Sequence, residues 1–164
     1  MIRAAVVTVS DRSFRKERAD ASGPAVEALL AALPADVVQA VVIPDEAAVI
    51  ARALRHFADD LDLDLVVTTG GTGVDPRDVT PEATRDVIER EVPGMAEAMR
   101  AESQRTVPTA MLSRGLVGMR GRTLIVNLPG SPGGARDNLR VLMPVLPHAI
   151  GKIRGEGGDC APSA

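Results

Sequence analysis

From Thr68 to Thr84 the chain reads Thr-Thr-Gly-Gly-Thr-Gly-Val-Asp-Pro-Arg-Asp-Val-Thr-Pro-Glu-Ala-Thr. An apolar run, Leu63 to Val67, leads in, and a helical pattern opening at Thr80-Pro81 leads out. Glycines at Gly70, Gly71 and Gly73 let backbone N–H groups approach an anion. Asp75 and Asp78 can hold a metal or a ring donor pair. A strand that delivers this mixture to a helix start is where α/β proteins hold phosphorylated ligands. The loop is not a Walker A sequence, because no Gly-Lys-Ser/Thr follows. Nor is it a dinucleotide fingerprint, because Pro76 stands where the third glycine belongs.

Three other segments carry similar residue types: Ser10-Asp11-Arg12, Pro44-Asp45-Glu46 and Pro129 to Gly134. Taken singly, Asp45 reads as the cap of a helix and Asp78 as a charge compensating a helix N-terminus. Taken together on one rim, two carboxylates beside a phosphate cradle can bind Mg²⁺, which takes few protein oxygens and completes its shell with substrate phosphate and water. A carboxylate can equally accept two parallel hydrogen bonds from a pterin or guanine edge. Arg12, Arg77 and Arg114 are candidate phosphate clamps. His56 and His148 have no ligand partners at zinc spacing, and no Gly-x-Ser-x-Gly elbow is present. The pattern suits phosphate positioning and charge stabilisation rather than covalent catalysis.

The elements that must position these residues alternate. Ala4 to Ser10, Val37 to Ile43 and Leu63 to Thr69 read as strands of the continuous apolar kind found in parallel sheets. Between them, Ser22-Gly23-Pro24 opens one helix with Ser22 as its cap, and Pro44-Asp45-Glu46 opens another that runs to about Leu61. A third helix starts at Thr80, with Pro81 at its first position, and stops before Pro93. A further one spans Met95 to Gln104. Leu116 to Met119 and Thr123 to Asn127 form a hairpin around Arg120-Gly121-Arg122. Ser131 caps a last helical region, Ala135 to Ile153, broken by Pro144 and Pro147. Thr106 to Gly115 carries no clear pattern. The expected fold is a three-layer α/β/α domain over residues 1–154 with a mostly parallel sheet, followed by a flexible tail, 155–164.

Composition narrows the partners. Among 164 residues the net charge is −3, with two Phe and no Trp or Tyr, so nucleic acid and anionic membranes find neither a general attraction nor stacking platforms. The single cysteine, Cys160, allows no intrachain disulfide, and the N-terminus has no signal-peptide layout. A cytoplasmic protein is expected.

Several motifs match a known family in order: Ser10-Asp11-Arg12, Asp20-Ala21-Ser22-Gly23-Pro24, Ile43-Pro44-Asp45-Glu46, Thr69 to Gly73, Arg77 to Thr84, Pro93-Gly94, Met111-Leu112-Ser113-Arg114 and Asn127 to Pro132. Over about residues 4 to 153 the chain resembles the Mog/MoaB family of molybdenum-cofactor biosynthesis proteins. The resemblance implies the α/β/α fold, a homotrimer, and binding of molybdopterin and Mg-ATP. In active members the molybdopterin phosphate attacks the α-phosphate of ATP and pyrophosphate leaves; hand-over to a molybdenum insertase follows. It places the two aspartates of active members on Asp45 and Asp78, as catalytic residues and Mg²⁺ ligands. It places ligand contacts on Ser10, Asp11, Gly70, Gly71, Thr72, Gly73, Ser113, Pro129, Gly130 and Ser131. Lys16 stands where the family often has glycine, so that loop is expected to take another shape. Gly133 stands where a basic residue is common, so one phosphate contact is expected to be missing. The alternatives are a silent molybdopterin-binding carrier and, more remotely, a nucleotide-phosphate hydrolase or deamidase.

Overall fold

The computed structural model describes residues 1–156. Four strands run parallel: β1 (Ile2–Val9), β2 (Ala35–Ile43), β3 (Leu65–Thr69) and, after the two-residue β4 (Arg90–Glu91) and β5 (Val117–Arg120), β6 (Thr123–Leu128). The sheet order is β2-β1-β3-β6-β5-β4, with β5 and β4 antiparallel to their neighbours. The helices are α1 (Asp11–Phe14), α2 (Ser22–Leu30), α3 (Ala47–Arg55), α4 (Thr80–Arg85), α5 (Pro93–Gln104), α6 (Pro132–Leu142) and α7 (Leu146–Ile153).

The central strands are apolar at nearly every position because both faces are covered. Ile2, Ala4 and Val6 of β1, Leu65 and Val67 of β3, and Leu124, Val126 and Leu128 of β6 face a core closed by α2, α5, α6 and α7. Ala5, Val7 and Val9, with Val66 and Ile125, face a second core closed by Ile50 and Leu54 of α3 and by Ala83 and Val87. Burying one such leucine contributes ~2–3 kcal/mol. The expected three-layer α/β/α fold with a mostly parallel sheet is the observed one.

Register brings the functional loops together. Val9 lies beside Ile43, Thr8 beside Thr69, and Thr69 beside Leu128. The four parallel strands therefore end level, and the loops that follow them share one rim. The order reverses between β1 and β3, the switch point where open α/β sheets leave a crevice.

Several local expectations change. Ser22 lies inside α2; the N-cap position is Ala21, and the residue before it, Asp20, satisfies the helix start, its Oδ1 accepting the N–H groups of Ser22 and Gly23, both at 3.1 Å. Asp45 does not cap α3, whose N-cap is Glu46. That helix is α-helical to Arg55 and continues as a π-helical turn, His56–Asp60, so the helical path reaches the expected end at about Leu61. The third helix stops at Arg85, and Arg90–Glu91 become an edge strand against β5. A two-residue strand carries no period to read. Pro108–Leu112, in the unpatterned stretch, form a 3₁₀ turn. Lys16 takes φ +59°, the left-handed conformation that glycine adopts freely, so the loop keeps a glycine-type turn despite the lysine. Gly155 and Glu156 close the end of α7, with Glu156 N donating to Gly151 O at 2.9 Å; Cys160 and the rest of the expected tail lie outside the described residues.

Candidate functional site

The third loop is shaped by backbone geometry that other residues resist. Gly70 and Gly71 take φ values of +104° and +66°. A Cβ on Gly70 would run into the Val9 carbonyl, and one on Gly71 would strike Thr80 Oγ1 and lie 3.0 Å from Asp45 Oδ1. Gly130 approaches from the fourth loop less tightly, with Gly70 Cα 3.2 Å from where its Cβ would lie. Thr69 Oγ1 donates to Pro129 O at 2.7 Å, and Thr80 Oγ1 to Gly70 O at 2.9 Å. Beneath them lies a buried polar net that the sequence reading missed. Asn127 Nδ2 donates to Thr68 Oγ1 and Thr84 Oγ1, both at 3.0 Å, and Asn127 Oδ1 accepts Leu116 N at 3.3 Å. A lone asparagine in a strand buried on both faces was the available signal, since burial demands that its amide be fully partnered.

Asp45 and Asp78 are both half-buried on this rim. Asp45 Oδ2 accepts Asp11 N at 2.8 Å, and Asp11 Oδ1 accepts Asp45 N at 3.0 Å. Burial pushes the Asp45 carboxyl up, the Asp11 N–H opposes this, and the charges of Asp11 and Asp78 push it further up. Burial also raises Asp11, but the Asp45 N–H and the Arg77 guanidinium outweigh it and hold Asp11 below its ordinary value. Asp78 Oδ2 accepts Asp75 N at 3.1 Å. Ser10 caps α1 by accepting Ser13 N at 3.2 Å, and Ser131 caps α6 by accepting Gly134 N at 3.1 Å, as expected of Ser131.

Two of the three proposed phosphate clamps are engaged elsewhere. Arg77 forks onto Asp11. Arg114 donates Nε to Gly73 O and Nη2 to Asp78 O, both at 2.7 Å, and pairs with Glu82, so it staples the third loop shut. Arg12 is exposed on the wall of a cavity beside Ser10. Arg18 joins it there, Nη2 lying 3.4 Å from Ser10 Oγ.

Two cavities meet on the rim. The larger, about 1350 Å³, runs from Gly71, Thr72, Gly73 and Asp78 past Ser113, Pro129 and Gly130 to Arg100, Ser103 and Asn138. The smaller, about 580 Å³, is bounded by Ser10, Asp11, Arg12, Asp20, Asp45 and Gly70. Gly71, Asp78, Gly130 and Ser131 belong to both. All twelve residues expected at the site line one cavity or both. Gly133 also lines the larger one, and a Cβ there would meet nothing within 4 Å, so the missing basic side chain is not excluded by crowding.

The carboxylates fit a divalent cation shared with a ligand rather than a closed protein cage. Among the described residues no group of three or more His, Cys, Asp or Glu side chains is placed to hold a metal. Two half-buried carboxylates, in a cavity open to a ligand, are the donor set Mg²⁺ takes beside phosphate.

The model of a family described as a probable molybdopterin binding domain matches residues 5–148. A molybdopterin adenylyltransferase of Helicobacter pylori strain J99 is 39% identical over 156 residues, covering 94% of this chain and 89% of the relative. The molybdenum cofactor synthesis protein cinnamon of Drosophila melanogaster is 41% identical over 146 residues, 88% of this chain; the chain spans only 24% of that longer protein. The crystal structure of the molybdopterin biosynthesis enzyme MoaB from Thermus thermophilus superposes with a TM-score of 0.91 at 52% identity, covering 94% of this chain and 98% of that one. Shared fold, an extensive family match and a close likeness of sequence converge: the chain belongs to the molybdopterin-binding family of the Mog and MoaB proteins.

Proposed function

We propose that this protein is a molybdopterin adenylyltransferase that acts in molybdenum cofactor biosynthesis, joining AMP from ATP to the terminal phosphate of molybdopterin and releasing pyrophosphate. The observation that carries this reading is the wall shared by the two cavities. A reaction that joins two phosphorylated substrates needs two compartments whose phosphate ends meet, and Gly71, Asp78, Gly130 and Ser131 stand where these two meet. The 39% identity to the Helicobacter pylori adenylyltransferase supports the same chemistry.

The chain's part is to position and to balance charge. The glycine turn at Gly70 and Gly71 and the start of α6 at Ser131 bring backbone close to phosphate oxygens on the shared wall. Asp45 and Asp78 would hold the Mg²⁺ that travels with ATP, and that ion would supply neutralisation of the departing pyrophosphate. Arg12 and Arg18 add positive charge at the mouth of the smaller cavity. Carboxylates held apart from the protein's own arginines stay able to bind a cation when the nucleotide brings it.

Assembly as a homotrimer, action in the cytoplasm and hand-over of product to a molybdenum insertase belong to the same reading. The outermost strand β2, largely apolar and with Val38 38% exposed, supports contact between copies. Among the described residues no helix is long and apolar enough to cross a membrane. The 24% share that the matching region takes of cinnamon supports work alongside further domains.

The test is incubation of the purified protein with molybdopterin and Mg-ATP, following pyrophosphate and the adenylylated pterin. Both products should appear together, and only when molybdopterin is present. Pterin binding without pyrophosphate release would instead identify a silent carrier, and pyrophosphate or phosphate release without molybdopterin would identify a hydrolase.

A further inference from the structure

Arg77 bears on Asp45 without an ion pair to it. Its guanidinium grips Asp11 as a fork, Nε to Oδ2 at 3.0 Å and Nη2 to Oδ1 at 3.1 Å. The Asp11 side chain is 19% exposed, so the carboxylate it grips is largely enclosed. Asp11 in turn exchanges backbone for carboxylate with Asp45: each N–H donates to the other's side chain, at 2.8 and 3.0 Å. The backbone of Arg77 is itself anchored, its N–H donating to Asp75 Oδ1 at 2.8 Å, while Asp75 N donates to Asp78 Oδ2 at 3.1 Å. A continuous run of hydrogen bonds thus passes from Asp78 through Asp75, Arg77 and Asp11 to Asp45, crossing three loops of the rim. Arg77 supplies the cation in the middle of it.

We propose that Arg77 is a positioning residue for adenylyl transfer, holding Asp11 so that Asp11 fixes the Asp45 carboxylate against the Gly71 turn. The assignment rests on the functional reading above and deepens it. The physical case has two parts. Asp11, Asp45 and Asp78 are three carboxylates gathered on one rim, and like charges so placed repel unless a cation offsets them. A bidentate arginine fork also fixes orientation, which a single point charge does not. Asp45 Oδ2 is tied to Asp11 N, so the clasp decides where Oδ1 points, and Oδ1 is the oxygen beside Gly71. Two donors of Arg77 are already spent on Asp11, which distinguishes it from a clamp waiting for phosphate.

The experiment compares the full-length wild type with Arg77→Ala and Arg77→Lys, by two readouts. Amide hydrogen exchange at Asp11 and Asp45, the two clasped N–H groups, should quicken about tenfold in Arg77→Ala while β3 amides keep their protection. In steady-state adenylylation kcat should fall ~10–100-fold with the KM values for ATP and molybdopterin moving less than about threefold, and Lys should restore part of kcat. A rise in KM at unchanged kcat would overturn the proposal in favour of a phosphate clamp. Unchanged exchange at Asp11 and Asp45 would overturn it whatever the activity. Wild-type protein that makes no adenylylated pterin would defeat the functional reading separately, and the exchange data would still decide whether Arg77 holds the pair.

Discussion

At the amino end of the sheet, Asp64 meets a cation directly. Arg154 Nε donates to Asp64 Oδ1 at 2.7 Å, a second guanidinium nitrogen pairs with Oδ2, and Arg3 N donates to Oδ2 at 2.7 Å. The pair is well covered, its side chains 18% and 10% exposed. At the carboxyl end, Asp45 and Asp78 make no ion pair among the described residues, although Arg77 and Arg114 stand close by. Those arginines are turned onto Asp11, onto main-chain carbonyls and onto Glu82. One end of the sheet neutralises its carboxylate and so locks α7 to the strands. The other keeps two carboxylates unneutralised by giving its arginines other work. A carboxylate satisfied by arginine has little left to offer a metal or a ligand; one held in place by backbone N–H groups still carries its charge.

Exchanging the roles of the two ends breaks this contrast most sharply at Asp78. Asp78→Ala or Asp45→Ala should lower adenylylation by about 10²–10³-fold, ~3–4 kcal/mol of transition-state stabilisation, with circular dichroism and melting unchanged in outline. Full activity in both variants would sink the assignment of these residues. Arg154→Ala should do the reverse, costing ~3 kcal/mol in urea unfolding because Asp64 is left covered and unpaired, with kcat per folded molecule unaltered. A kcat that dropped with stability would show that the two ends are not independent.

Gly71→Ala tests the turn that shapes the carboxyl end. Its φ of +66° and the approach of Asp45 Oδ1 to 3.0 Å leave no room for a methyl group. A loss of about 1–2 kcal/mol in stability is expected, with a larger fractional loss of kcat, since the methyl would strike Thr80 Oγ1 and press on Asp45 Oδ1. The smallest effect carries the opposite sign. Burial, and then the charges of Asp11 and Asp78, raise Asp45 above its ordinary 3.8. A carboxylate that binds its proton more tightly folded than unfolded makes the fold lose stability as pH rises from the ordinary value through the raised one. Asp45→Asn removes that charge and keeps an oxygen for Asp11 N. It should therefore melt higher than wild type at neutral pH, by up to about 1 kcal/mol, while being inactive. The gain should vanish below about pH 3.8 and open across the window above it. Equal melting at every pH would show that Asp45 carries no such cost.

What was legible in the sequence followed from repeated or local signals. The apolar strand runs could be read because burial on both faces leaves few polar positions, and Ser131 could be placed because a cap acts within three residues of itself. The capping assignments to Ser22 and Asp45 failed for one reason: several oxygens near a helix start compete, and only the folded path chooses. Asp20 was nearer the free N–H groups of α2, and the Asp45 carboxylate was drawn away by the N–H of Asp11, thirty-four residues distant in sequence. β4 was invisible because its two residues become a strand only by pairing with β5.

The sequence by itself determined the alternation of strand and helix, the glycine turn and the residue types gathered at the strand ends, because hydrophobic period and backbone strain act over a few residues. Tertiary structure decided which charges meet. Whether an arginine faces a phosphate, a carboxylate or a carbonyl depends on loops brought level by strand register, as the pairing of Thr69 with both Thr8 and Leu128 shows. Asp78 could be singled out from its motif alone. That it stands without an ion pair among the described residues, on a wall common to two cavities, with Asp45 braced across the rim through Asp11, depends on distances between atoms far apart in the chain, and Coulomb and hydrogen-bond energies follow those distances.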